Sequence, residues 1–318
     1  MAKNRIIAEV PAVGYRKRVR GKKLLGMIAY AERLIIHLHK AGKERVAEKY
    51  ATSIRSLKRY LKEKDVRLIE VSSLFMQGYE SYLKNTGCCR NTISFYMRNL
   101  RAIYNHAVEE KLVTPAQPFK HVYTGIDKTV KRAVSLETIQ RLKRLDLGEN
   151  PSLDFARDLF LLSFYLRGIS FVDLVYLKKK DLQGGVLCYH RRKTAQLLCI
   201  KWERPMQEIV DKYQQRNTPY LLPMLNEQEG DLHGQYKRAY KRIHKLLKEL
   251  GERLHLPIPL TTYVARHTWA SIAKSRHVPI GVISEALGHD SESTTRIYLS
   301  SLDASEVDLA NSLIIDSL

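Results

Sequence analysis

Apolar residues recur every three to four positions through most of the chain, the spacing that lines one face of a helix. Leu24, Ile28, Ala31, Leu34, Ile35 and Leu38 predict a first helix ending near Gly42, and Val46, Tyr50, Ile54, Leu57 and Leu61 predict a second. Ser72 or Ser73 can cap a third, with Phe75, Tyr79, Tyr82 and Leu83 inside and Gly87 closing it. A fourth opens at Asn91 or Thr92, carries Ile93, Tyr96, Leu100, Ile103, Tyr104 and Ala107, and stops before Pro115. Together they predict a compact all-helical domain over 22–112.

The pattern then breaks. Thr114–Pro118, Gly125 and the basic Lys128, Lys131 and Arg132 read as an extended linker over 113–132. A second domain follows over 133–318. Ser135 caps a helix there, and Phe155, Leu159, Leu162, Phe164 and Tyr165 form a strongly apolar one that ends in Arg167-Gly168. Phe171, Leu174 and Leu177 predict a short helix with Asp173 near its start. Only in the next stretch does the period change. Val186–His190 and Gln196–Lys201 are β-rich runs around a polar turn, the mark of a hairpin. A turn at Arg192–Ala195 pairs Arg191 with Gln196 and Cys188 with Cys199, and puts Lys193 at the tip. Helices follow over Pro205–Tyr213 and Tyr236–Leu250, and Val307, Leu309, Ala310 and Leu313–Ile315 form an apolar helical tail. The fold expected is mainly α with a small β-hairpin.

Charge narrows the partners. Lys and Arg number 54 against 33 Asp and Glu, a net charge of +21 over 318 residues. A compact monomer is destabilised by such self-repulsion unless a polyanion offsets it, so nucleic acid leads, with an anionic membrane as the weaker alternative. The best apolar run, Leu159–Leu166, is far short of the roughly 18 residues that span a bilayer. The basic N-terminus is followed by no signal-like apolar core, so the cytoplasm is the expected compartment. Residues 1–21 read as a basic arm, either lying along phosphates or simply solvated. Arg55, Lys58, Arg90, Arg98 and Arg101 give the second and fourth helices basic faces. Four cysteines are too few for a disulfide framework and lack zinc-ligand spacing, and Cys188 and Cys199 are expected as small reduced core residues.

The chemistry concentrates near the end of the chain, in Thr261–Ala270, Leu287-Gly288-His289 and Thr294–Leu299. Arginine and histidine grip phosphates, and a tyrosine hydroxyl can attack one. Arg266, Leu287-Gly288-His289 and Tyr298, nine residues after His289, follow the order and spacing of the tyrosine recombinase (phage integrase) family, which the chain resembles along nearly its whole length. Arg90–Tyr96 looks like part of that family's helical, SAM-like core-binding domain. The part from about 133 onward looks like its mixed α+β catalytic domain, with Lys193 matching the hairpin lysine.

The resemblance implies a site-specific recombinase that needs no metal and no nucleotide cofactor. Tyr298 would attack the scissile phosphate and form a 3′-phosphotyrosine. Arg266 would clamp non-bridging oxygens, Lys193 would protonate the leaving 5′ oxygen, and His289 would hold the phosphate or relay a proton. Two positions depart from the pattern. Tyr263 stands where a histidine is expected and can contact the phosphate but is a poor base. Ser170 stands in the slot of the first arginine, for which Arg167 is the expected substitute. His267 is expected as a packed helix residue and Asp173 as an orienting partner.

DNA contacts are expected from Arg55, Lys58, Arg90, Asn91, Thr92, Arg98, Arg101, Lys131, Arg132, Arg191 and Arg192. The partner is double-stranded DNA with specific recombination sites, bound by a homotetramer on two duplexes, the C-terminal helix packing on the neighbouring protomer. So short a stretch before the helical domain suggests action on core sites without an arm-binding domain. Inversion of a DNA segment is the first use considered, element integration the second and chromosome-dimer resolution the third. The rival readings are a catalytically inactive DNA-binding relative and a type IB topoisomerase-like enzyme.

Overall fold

The structure, a computed structural model, describes residues 25–127, 132–148, 150–214, 217–299, 311–312 and 314–316, without the side chains of 297 and 298. The expected basic arm, Lys131 and most of the C-terminal tail lie outside the described residues. The chain divides into two units, Met1–Lys128 and Thr129–Leu318.

Among the described residues, four α-helices build the first unit: α1 (Met27–Lys40), α2 (Glu44–Tyr60), α3 (Ser73–Asn85) and α4 (Arg90–Glu109). Ser72 caps α3 by accepting from the Phe75 amide, as its hydroxyl suggested, whereas α4 begins at Cys89–Arg90. The apolar faces meet around Met27, Leu57, Met76, Leu83, Met97, Leu100 and Ile103, all fully buried. Tyr79 is buried with them and donates its hydroxyl to Ser56 Oγ at 2.8 Å, so its one polar atom is satisfied.

The stretch from 113 to 127 is not an extended linker. Phe119 and Val122 are buried in the helical core. The Glu80 carboxylate accepts from the Tyr123 amide at 2.8 Å, and the Asn91 side-chain amide exchanges hydrogen bonds of 3.0 and 2.8 Å with the Asp127 backbone. Sequence showed its prolines and charges, which favour a loop, but not the two apolar side chains that anchor it.

The second unit opens with α5 (Leu136–Arg144), α6 (Pro151–Tyr165) and α7 (Phe171–Val175). Continuous apolarity makes α6 its central helix, with Leu153, Ala156 and Leu159–Leu162 all buried. A three-stranded antiparallel sheet follows, β1 (Leu182–Gln183), β2 (Val186–His190) and β3 (Leu197–Lys201), in that order. The two-residue β1 is too short to leave a periodic signal. Then come α8 (Arg204–Tyr213), α9 (Leu232–Arg253), α10 (Val264–Ser275), α11 (Ile280–Leu287) and α12 (Glu292–Leu299). Among the described residues no helix is long and apolar enough to cross a membrane.

The hairpin register is the expected one, with Cys188 opposite Cys199. Their environment is not. Leu187, Tyr189 and Ile200 face the core, so the alternation of a strand turns both cysteines outward. Their Cα atoms lie 4.2 Å apart, the spacing of a pair whose side chains stand closest, and the sulfurs form a disulfide. The expectation of reduced core thiols is corrected on both counts.

Candidate active site

Arg266, on the first turn of α10, is 5% exposed. Its Nη1 donates to the Gly168 carbonyl at 2.9 Å, and its Nη2 donates to the Leu287 carbonyl. The chain leaving α6 makes this approach possible. Arg167 and Gly168 both adopt left-handed backbone, at φ +57° and +72°, and a Cβ on Gly168 would lie 2.5 Å from Arg266 Cα. Only a glycine lets the two backbones come so close.

Leu287-Gly288-His289 is the exit of α11. Gly288, at φ +61°, ends the helix, and the His289 amide returns to the Ser284 carbonyl at 3.0 Å. That turn aims His289 at Arg266, with Nε2 3.1 Å from Arg266 Nη2. A guanidinium only donates, so Nε2 accepts and the proton sits on Nδ1, which faces Thr295 Oγ1 at 2.8 Å. The imidazole is thereby held neutral. Burial first, then the positive charges of Arg266, Arg191 and Lys193, push its pKa down to about 4.

The hairpin turn supplies the next groups. Arg191 donates its amide to the Gln196 carbonyl at 2.8 Å and accepts from the Ala195 amide at 2.8 Å, leaving Lys193 exposed at the tip. Asp173, buried at the start of α7, anchors that tip. Its Oδ1 accepts from the Arg192 amide at 2.9 Å, and its Oδ2 accepts from Ser170 Oγ at 2.6 Å. The Arg192 guanidinium stacks 3.9 Å over the Tyr176 ring. Beneath the tip, Thr194 Oγ1 and Gln196 Oε1 are buried without hydrogen-bond partners among the described residues.

The sequence-derived residues divide as follows. Arg266, His289 and Lys193 fall into one electrostatic neighbourhood. Arg167 joins it at the level of charge: burial and Asp173 raise the Tyr189 phenol pKa, while Arg266, Arg191 and Arg167 pull it back. Among the described residues the Arg167 guanidinium makes no hydrogen bond or ion pair. Tyr263 precedes α10, is 53% exposed, and packs its ring edge-on against buried His267 with centroids 4.9 Å apart. Tyr298 lies on α12 three residues after buried Thr295; its side chain is outside the described residues.

In the helical unit, Arg55, Arg98 and Arg101 are exposed. Others are already engaged. Lys58 pairs with Glu32 at 2.6 Å, Arg90 stacks 4.2 Å over Tyr123 beside Asp127, and Thr92 Oγ1 lies 3.2 Å from Cys89 Sγ. The Asn91 amide, expected at DNA, is bound to the Asp127 backbone. Sequence reasoning overlooked Thr295 and the burial of Arg191; the glycine ending α11 was the only local hint of close packing there.

Comparison with known proteins agrees with this layout. The phage integrase SAM-like domain matches residues 26–124, and the phage integrase family matches residues 164–305. The tyrosine recombinase XerD of Oceanobacillus iheyensis is 22% identical over 283 residues, covering 86% of this chain and 94% of its own. The tyrosine recombinase XerA of Pyrococcus furiosus is 29% identical over 179 residues, covering 54% of this chain and 58% of its own. Among solved structures, a lambda integrase dimer bound to a COC′ core site superposes with a TM-score of 0.66 at 14% identity, covering 87% of this chain and 78% of that one. The Tn1549 transposon integrase in complex with a circular intermediate DNA gives 0.59 at 14% identity, covering 90% and 99%. At these identities the structural likeness is one of fold.

Proposed function

The chain belongs to the phage integrase family and is a site-specific tyrosine recombinase, and from that membership we propose that Tyr298 is its nucleophile and double-stranded DNA its substrate. Tyr298 Oη attacks the scissile phosphorus and the bond to the 5′ oxygen breaks. The phenolic proton passes to solvent, since His289 Nε2 is held on Arg266 and its Nδ1 already carries a proton, and Lys193 gives a proton to the departing 5′ oxygen. The products are a 3′-phosphotyrosine and a free 5′-hydroxyl, and a second strand's hydroxyl reverses the step. Arg266 holds a non-bridging oxygen, Arg167 adds positive charge nearby, and Tyr263 offers its exposed hydroxyl to the phosphate.

The observation that carries this reading is the bracket around Arg266. A buried guanidinium, fixed by main-chain carbonyls and joined to a neutral histidine, is a preorganised anion site. Through Thr295 it is tied to the helix that bears Tyr298. Exposed Arg55, Arg98, Arg101, Arg132 and Arg192 supply phosphate contacts.

We assign the C-terminal tail to a neighbouring copy in a tetramer on two duplexes. An apolar groove of about 550 Å³, lined by Phe164, Tyr165, Met206, Trp269, Ile272 and Val278, is a receptor of suitable chemistry, and Ile314 and Ile315 are exposed. Tetramers bound to a Holliday junction are known for lambda integrase. Inversion or integration of a DNA element is the use proposed.

The test is covalent capture. Randomised duplexes nicked beside the potential scissile phosphate are incubated with the whole protein, which should trap a covalent adduct; Tyr298→Phe should trap none. No adduct from the intact protein would leave a non-catalytic DNA-binding relative as the reading. Relaxation of supercoiled DNA lacking any captured site, by monomers, would favour the topoisomerase alternative.

A further inference from the structure

Arg266 has a companion. Arg191, the residue after β2, is 8% exposed, and its Nη1 donates to the Gly288 carbonyl. Two consecutive carbonyls, Leu287 and Gly288, therefore each hold a guanidinium, one arriving from α10 and the other from the hairpin. The glycine is required by this arrangement, since a Cβ at Gly288 would lie 2.8 Å from Arg191 Cδ. Among the described residues no carboxylate pairs with Arg191, and its guanidinium makes only that one hydrogen bond. Asp173, the buried acid of this corner, has its two oxygens on the Arg192 amide and the Ser170 hydroxyl. A buried cation without an acidic partner is costly unless an anion joins it.

We propose that Arg191 is a catalytic residue, the second guanidinium that grips the scissile phosphate beside Arg266, where the family pattern leaves Ser170 in an arginine's slot. This deepens the recombinase reading and rests on it. Arg167, the substitute expected from sequence, is half-buried and its guanidinium is held by none of the described residues, so aiming it at the phosphate costs side-chain entropy. Arg191 is aimed already. As Tyr298 attacks, negative charge grows on the non-bridging oxygens, and a fixed donor stabilises that charge without reorganising. Arg191 takes no part in bond making or proton transfer. Thr194 Oγ1, buried in the same turn with no hydrogen-bond partner among the described residues, is a further donor that a phosphate there would satisfy.

The experiment uses a duplex captured by the wild-type protein, made in two forms. One has the natural scissile phosphodiester. The other has a methylphosphonate there, in which a methyl group replaces one non-bridging oxygen and removes the negative charge a clamp must neutralise. Single-turnover adduct formation is measured for wild type, Arg191→Ala, Arg191→Lys and Arg167→Ala. Arg191→Ala should be slower than wild type by about 100-fold or more on the phosphodiester and by less than about 10-fold on the methylphosphonate. Arg191→Lys, which keeps charge but not the fork, should fall between on the phosphodiester, and Arg167→Ala, which removes only a nearby charge, should lose less than Arg191→Ala. Equal loss by Arg191→Ala on both duplexes marks a structural residue and overturns the proposal. So does a normal rate for Arg191→Ala on the phosphodiester, or a loss confined to Arg167→Ala. Absence of any wild-type adduct instead overturns the recombinase reading itself.

Discussion

His289 donates its Nδ1 hydrogen to Thr295 Oγ1 across 2.8 Å, and Thr295 precedes Tyr298 by three residues on α12. The helix carrying Tyr298, the proposed nucleophile, is thus hydrogen-bonded to the residue that touches Arg266. Replacing Thr295 by Val keeps the shape and removes the acceptor. Adduct formation should slow by about 10- to 100-fold with DNA affinity unchanged, and Thr295→Ser should restore most of the rate. Equal rates for the Val variant and wild type would separate Thr295 from the positioning of Tyr298.

Lys193 is assigned the leaving-group proton, and a sulfur leaving group needs none. Lys193→Ala should lose about 10²- to 10⁴-fold on a phosphodiester duplex and recover when sulfur replaces the bridging 5′ oxygen. Asp173 holds the turn through the Arg192 amide, so Asp173→Asn should show a smaller loss with the same sulfur rescue. A loss that sulfur leaves untouched would assign Asp173 to folding alone.

The depressed pKa of His289 gives a pH signature. The unfolded chain takes up a proton near 6.5, whereas the folded protein resists it until about 4. Unfolded molecules therefore bind more protons across that window, and this residue's contribution to stability is present above 6.5 and lost as pH falls toward 4. Denaturant titrations from pH 4 to 7 should show a shallower slope of stability against pH for His289→Gln than for wild type. Identical slopes would mean that the imidazole is not held neutral.

Gly168 admits no side chain. Alanine there meets the Arg266 backbone and must hold φ near +72°, so a destabilisation of about 2–4 kcal/mol is expected. Thermal unfolding of the whole protein should show it as a lower midpoint for the catalytic unit's transition, with cleavage lost in parallel. A midpoint within a degree or so of wild type would contradict the close approach.

Arg98 and Arg101 are exposed one turn apart on α4. If both meet phosphates, the double alanine variant should weaken binding to all duplexes alike. It should also flatten the slope of log affinity against log salt by about 1.8. Asn91→Ala should instead cost stability, because its amide braces the Asp127 backbone.

What the sequence made legible follows from periodicity and caps. Four helices, a hairpin in register and the Arg266–His289–Tyr298 order were readable because helix faces repeat and turns carry glycine or serine. Segment 113–127 was not, since two buried residues, Phe119 and Val122, are too few to form a period. Neither was the outward disulfide, because composition cannot say which face of a short hairpin is core. Arg191 was read as one basic residue among several at a turn. Its burial depends on Gly288, nearly a hundred residues away, and no local pattern records a contact of that range.

Main-chain carbonyls, those of Gly168, Leu287 and Gly288, receive the buried guanidiniums. A carbonyl survives every side-chain substitution at its own residue. The anchorage is therefore written in the path of the backbone rather than in the side chains of the residues that supply it. Such a corner depends on the turns that present the oxygens, which makes the left-handed glycines, Gly168 and Gly288, its least replaceable members.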